Sequence, residues 1–182
     1  MRRLAAALLA LTLVVLTPTA ALAAKSSTTK DPRGDIVGGG GGIDMKRTTL
    51  VKKGQKIVAT FTTWGAHSDE DLRAPGGIGV DFRLTKKLVR GAAVRHSSGG
   101  LYGEICSYRQ RGDQMPKRSR CSKVPAKRLS GTAYRLTIPL KKIDKGAKRL
   151  RWISSALAID SAGCAGVCLD GVGRGKFKTW RL

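Results

Sequence analysis

Cys106, Cys121, Cys164 and Cys168 are the four cysteines of this 182-residue chain. An even set in an exported chain forms disulfides, with three connectivities open. Pairing Cys106 with Cys121 and Cys164 with Cys168 pins one loop each and is the expected arrangement. A four-cysteine zinc site would need two closely spaced knuckles, and Cys106 and Cys121 are too far apart in sequence to form one. A link closing a loop of the first pair's length contributes about 3 kcal/mol in the chain-entropy model.

The acidic residues offer a second chemistry. Asp31, Asp35 and Asp44 are candidates to gather around Ca²⁺, which takes six to eight oxygen ligands. The spacing of an EF-hand loop is absent, the surplus of cations opposes a divalent ion, and aspartate before Pro or Gly caps a turn with its own backbone. Calcium is therefore the one candidate cofactor, with turn capping as the simpler account of the same residues.

For catalysis the inventory is thin. His67 and His96 are the two histidines, and neither stands in an H-E-x-x-H helix or beside a G-x-S-x-G elbow. A glycosidase needs two carboxylates flanking its substrate, for which Glu70 with Asp71, or Asp81 with Glu104, are the available pairs. A phosphodiesterase would use His67 or His96 beside Lys or Arg. None of these is singled out, and no catalytic residue is assigned.

Charge is the most pronounced property. There are 35 Lys and Arg against 12 Asp and Glu, a formal charge of +23 and a pI of about 10.8. Such a field attracts extracellular polyanions: wall polymers, acidic polysaccharide, nucleic acid or an anionic membrane surface. Arg109, Arg111, Lys117, Arg118, Arg120, Lys123 and Lys127 crowd one stretch, read as a loop stapled by Cys121 to Cys106, and are the candidate polyanion contacts. Aromatics are only 5% of the chain, too few for a stacking platform, so charge should dominate affinity. The tripeptides Arg33-Gly34-Asp35 and Arg111-Gly112-Asp113 spell an adhesion motif, and turn chemistry accounts for both. A secreted, non-catalytic polyanion-binding module is the expected function, and a small secreted hydrolase on a phosphate-rich or acidic substrate is the alternative.

Positioning these groups requires an exported, folded chain. Met1–Arg3 is basic, Leu4–Leu16 apolar, and Thr17–Ala23 small and ends Ala21-Leu22-Ala23, so residues 1–23 read as a signal peptide. Residues 24–30 read as a flexible linker and 31–182 as one domain. Hydrophobic residues at 41% and 23 glycines exclude collagen, coiled coil and a wholly disordered tail. Ile78, Val80, Phe82 and Leu84 alternate with polar or small residues, as do Tyr134, Leu136, Ile138 and Leu140. Two β-branched runs around Lys53-Gly54 predict a hairpin. Leu101–Tyr108, Leu150–Ile159 and Lys176–Leu182 complete seven or eight strands of an all-β, antiparallel sandwich, jelly-roll or Ig-like. Pro139 marks an edge strand or a strand end. Gly38–Gly42 is a slack linker, and His67–Gly77 is a loop carrying the acidic run Asp69-Glu70-Asp71.

Asp31-Pro32-Arg33-Gly34-Asp35, a spacer, Ile43-Asp44-Met45 and the hairpin resemble the opening of small secreted actinobacterial β-sandwich proteins. The resemblance extends to Arg151-Trp152 and to the cysteine-containing loop before Asp170. Met45 stands where those chains commonly carry Ile, and the glycine run lengthens the spacer. The resemblance implies export and a sandwich, and it implies no activity.

Overall fold

Ile57, Ala59 and Phe61 are buried while Val58, Thr60 and Thr62 between them are half-exposed, the alternation that a strand with one face against a core produces. A computed structural model of the protein describes residues 26–38, 42–109, 118–143, 146–172 and 175–182. Among them the strands are β1 (Ser26–Lys30), β2 (Val37–Gly38), β3 (Met45–Lys53), β4 (Lys56–Thr63), β5 (Gly77–Arg83), β6 (Leu88–Ser97) and β7 (Gly100–Arg109). β8 (Arg118–Val124), β9 (Ala126–Ser130), β10 (Ala133–Pro139), β11 (Arg149–Ile159), β12 (Val167–Val172) and β13 (Lys178–Arg181) follow. A single 3₁₀ turn at Glu70–Leu72 and one helical turn at Leu140–Ile143 interrupt them.

The strands pair antiparallel in two sheets. The small sheet runs β1-β3-β4-β10-β9, and the large one β2-β12-β11-β5-β6-β7-β8, with β13 also on β11. Phe61, Tyr134, Leu136 and Ile138 from the small sheet meet Ile78, Phe82, Val94, Ile105 and Trp152 from the large one in a single core. Three buried polar links cross or brace that core. Thr48 Oγ1 donates to Ser154 Oγ at 2.7 Å, Ser154 Oγ donates to the Gly79 carbonyl at 2.8 Å, and Trp152 Nε1 donates to Ser27 Oγ at 3.1 Å. Each satisfies a group that would otherwise be stranded away from water. The fold is the expected all-β sandwich, and the predicted hairpin is β3–β4, turned at Gly54, whose φ of +56° only glycine adopts without strain.

Several expectations change. Among the described residues thirteen strands replace seven or eight: β1, β2, β8 and β9 are short or polar and carry no apolar alternation, and in β6 the Gly91-Ala92-Ala93 run blurs it. Ser26–Lys30, read as part of a linker, is β1, paired with β3 from Ser26↔Val51 to Lys30↔Arg47 and anchored where Ser27 turns inward to Trp152. Residues 1–25, with the expected signal peptide, lie outside the described residues, as do residues 39–41 of the glycine run. Pro139 closes β10, which is flanked by β4 and β9 and is no edge strand.

Both disulfides have the expected connectivity. Cys106 and Cys121 face each other across β7 and β8 with Cα atoms 4.1 Å apart, so this bond rivets two neighbouring strands rather than closing off a loose loop. Cys164–Cys168 closes the connection from β11 into β12.

Candidate functional site

The outward face of the large sheet carries a trough because its central residues are small. Gly79 pairs with Ala93 on one side and Ser155 on the other, and Gly91 pairs with Asp81 and Cys106. With so little side chain at these positions, β5, β6 and β11 floor a cavity of about 360 Å³. Asp81, Tyr108, Arg95 and Glu104 enclose it.

Gly91 is required there by a close approach. A Cβ at that position would lie 2.7 Å from Asp81 Oδ1 and 2.9 Å from Tyr108 Cε1. Its absence lets Asp81 and Tyr108 meet over β6, where the phenol hydrogen-bonds the carboxyl. Burial pushes the Asp81 carboxyl above its ordinary value, partly offset by that hydrogen bond. Burial also pushes the Tyr108 phenol up, reinforced by the Asp81 charge. At the other end Arg95 Nε lies 2.6 Å from Glu104 Oε1, with both side chains largely buried. Arg95 also donates to the carbonyls of Pro75 and Gly76, tying the loop before β5 to the groove wall.

Asp81 therefore binds its proton more tightly in the folded than in the unfolded chain, and ionising it opposes folding. The resulting loss of stability sets in above the unfolded carboxyl value of about 3.9 and is complete only above the raised folded value. Asp81→Asn keeps the shape and an acceptor for Tyr108. It is expected to exceed the native protein in urea midpoint near pH 8 and to lose that advantage near pH 4. A midpoint at pH 8 equal to or below the native one would contradict the burial argument.

Further cations stand on the same outward face, beyond the residues that line the trough. Arg83 and Arg151 pair across β5 and β11 and share the ring of Phe177, with guanidinium carbons 4.2 and 5.8 Å from its centroid. Lys123, exposed on β8, sits opposite Glu104. Of the seven cations singled out in the sequence, Arg111 and Lys117 lie outside the described residues. Arg109 ends β7, Arg118 pairs through its backbone with Tyr108, and Arg120 is exposed on β8.

Lys127 is on β9 and pairs with Arg135 in the other sheet. Among the described residues the stretch read as one cationic loop includes two strands, β8 and β9, parted at Pro125, where the chain crosses from one sheet to the other. Both strands are sheet edges, and charge on an edge keeps it from pairing with another chain. That accounts for part of the cation surplus without a ligand. Arg83, Arg95 and Arg151 are what the sequence reading missed. They are the polar members of alternating strands, and a search of the outward positions would have found them.

The acidic turn has a structural role. Asp69 Oδ1 takes a hydrogen bond from Arg128 Nη1 at 3.0 Å. Asp71 accepts from the Ser68 amide at 2.7 Å and the Ala162 amide at 3.1 Å, and Leu72 is fully buried beneath. Glu70 is held below the usual carboxylate range by its hydrogen bond from Arg73. His67 Nδ1 lies 3.8 Å from Asp71, and burial lowers its pKa against the pull of that carboxylate. His96 Nδ1 lies 3.3 Å from Glu70. Both histidines brace this turn rather than line the trough, and Ser68 Oγ is engaged with Asp71.

Of the candidate calcium ligands, Asp31 and Asp35 do converge, but Asp44 does not join them. Asp44 Oδ2 takes the Gly34 amide at 2.9 Å, tying the Asp31–Asp35 turn to the start of β3. The third member of the group is Asp170 of β12, and one oxygen from each of Asp31, Asp35 and Asp170 lies within 4.8 Å of the others.

No described helix is long and apolar enough to cross a membrane. Comparison with protein-family models, with curated proteins and with solved structures finds no match to this chain.

Proposed function

We propose that this protein is a secreted, non-catalytic module that holds an anionic cell-envelope polymer along the outward face of its large sheet. The observation that carries the reading is the outward face itself: a trough floored by Gly, Ala and Ser, with Arg83, Arg151 and Lys123 at register positions on the same face of the sheet. Small residues let an extended chain approach the backbone, and cations on the same face meet its negative groups. The basic, apolar and small-residue segments of residues 1–23 and the two disulfides support export.

The competing reading, a hydrolase of phosphate-rich or acidic substrate, has less behind it. Asp81 and Glu104 are tied to Tyr108 and Arg95. They stand on strands separated by β6, which places the strand axes about 9.6 Å apart. That spacing excludes a retaining pair, which needs about 5 to 5.5 Å, and meets only the wide end of the inverting range of about 6.5 to 9.5 Å, where the ties to Tyr108 and Arg95 leave neither carboxyl free to act.

Two double reversals of equal net charge test the proposal, with heparin as the model polymer. Arg151→Glu with Lys123→Glu alters the face of the trough, and Lys127→Glu with Arg135→Glu alters the small sheet. The first pair is expected to weaken binding by about tenfold or more, and the second far less. Equal losses from both pairs would show an undirected field and sink the assignment of a face.

A further inference from the structure

A cation surplus makes an isolated pocket of carboxylates conspicuous, and one lies at the junction of the two sheets. Asp31 follows β1 in the small sheet, Asp35 precedes β2, and Asp170 lies within β12 in the large one. Asp170 is 2% exposed and Asp31 5%. The Met45 amide donates to Asp170 Oδ2, a bond from β3 to the opposite sheet. Asp170 Oδ1 is also buried and receives no such donor. It faces a second carboxylate, with Asp35 closing the group on the exposed side.

Two carboxylates in contact away from water are strongly unfavourable unless a proton or a cation stands between them. Three carboxylate oxygens from three separate segments lie within 4.8 Å of one another here, two of them on buried residues.

We propose that Asp31, Asp35 and Asp170 form a Ca²⁺ site that clamps the segment after β1 to β12. The donors are all carboxylate oxygens, which exclude the nitrogen and sulfur preference of zinc. They come from three independent segments and leave one side open to water, which suits the large and irregular coordination shell of Ca²⁺ better than the strict octahedron of Mg²⁺. The remaining positions fall to water or backbone carbonyls. The clamp has a mechanical purpose. Among the described residues β2 contributes Val37 and Gly38 to the sheet, paired with Leu169 and Cys168, and the site would add a second tie between this segment and β12. The surrounding positive field is screened beyond about 8 Å at physiological salt. It should nevertheless place affinity at the weak end, on the order of 10⁻⁴ to 10⁻³ M, as in other extracellular calcium modules.

The test is calorimetric titration of the full chain with CaCl₂, with MgCl₂ for comparison, and melting near pH 7.5 in Ca²⁺ and in EDTA. The native protein is expected to bind Ca²⁺ in that range, to bind Mg²⁺ at least about tenfold more weakly, and to melt higher in Ca²⁺. Asp170→Asn should lose the response while melting in EDTA at or above the native temperature, since it no longer sets two carboxylates together. Asp35→Asn alters only the exposed ligand and leaves the buried pair intact. It should weaken Ca²⁺ by about tenfold or more, and it decides the matter if Asp170→Asn does not fold. The proposal is overturned if native melting ignores millimolar Ca²⁺ and rises only on acidification from about pH 8 to 6, the signature of a shared proton. It is overturned equally if Asp35→Asn binds Ca²⁺ as tightly as the native chain.

Discussion

Trp152→Ala should lower the free energy of unfolding by about 3 to 5 kcal/mol, a large part of the roughly 5 to 15 kcal/mol that stabilises a domain of this kind. Trp152 is 1% exposed and is the largest fully buried side chain. It stands on β11, pairs with Phe82 on one side and Lys178 on the other, and reaches across the core to hydrogen-bond Ser27 on β1. Truncation removes the indole from a close-packed interior and leaves a cavity that neighbouring strands cannot close without losing register. It also strands the hydroxyl of Ser27, which is 7% exposed. Trp152→Phe keeps most of the volume, so its smaller loss combines the polar contact, worth about 1 kcal/mol, with the small cavity left by the second ring. Urea denaturation followed by circular dichroism measures both variants. A loss below about 1 kcal/mol for the alanine variant would mean that the two sheets do not close over this side chain, and that Ser26–Lys30 does not belong to the sandwich.

Binding of duplex DNA, used as a polyanion of known charge spacing, should weaken about fortyfold between about 50 and 200 mM salt. The figure follows from three phosphates neutralised by Arg83, Lys123 and Arg151, each releasing about 0.9 of a counterion. Fluorescence anisotropy at several salt concentrations gives the slope. An affinity that stays flat across this range contradicts electrostatic capture altogether. A slope several times steeper would show that cations on every face take part, and the trough would lose its claim to be the site.

The legible and illegible strands divide along a physical line. β4, β5, β10 and β11 lie inside their sheets, and Ile57-Ala59-Phe61, Ile78-Val80-Phe82 and Tyr134-Leu136-Ile138 announce them by period-two burial. The ends of the two strand orders among the described residues, β1, β9, β2 and β8, do not show in the sequence pattern, whereas β13, paired only with β11, does; β6 lies inside its sheet but is blurred by its Gly91-Ala92-Ala93 run. Ser26–Lys30, Arg118–Val124 and Ala126–Ser130 are polar or basic because an edge strand is only partly covered and charge there discourages further pairing. The same rule hides β8 and β9 in the sequence, since basic residues that decorate two edges look there like one cationic loop. β12 was missed for another reason: Gly171 and Asp170 interrupt an otherwise apolar run, and Asp170 is inward because its partner is the Met45 amide and its company is Asp31 and Asp35.

Composition and alternation were enough to determine the class of fold and the β3–β4 hairpin, because each depends on residues close in the chain or on one strand's own pattern; cysteine spacing favoured one of three disulfide connectivities, and the structure selected it. Tertiary structure alone decided which outward residues share a face. Asp81, Gly91, Glu104 and Ser155 come from four strands whose register is settled by the core beneath them. It decided equally that Asp170, and not Asp44, completes the acidic group. A strand's own residues determine which of its side chains point outward, but what stands beside them depends on pairings between segments far apart in sequence, and those are fixed only when the whole sandwich closes.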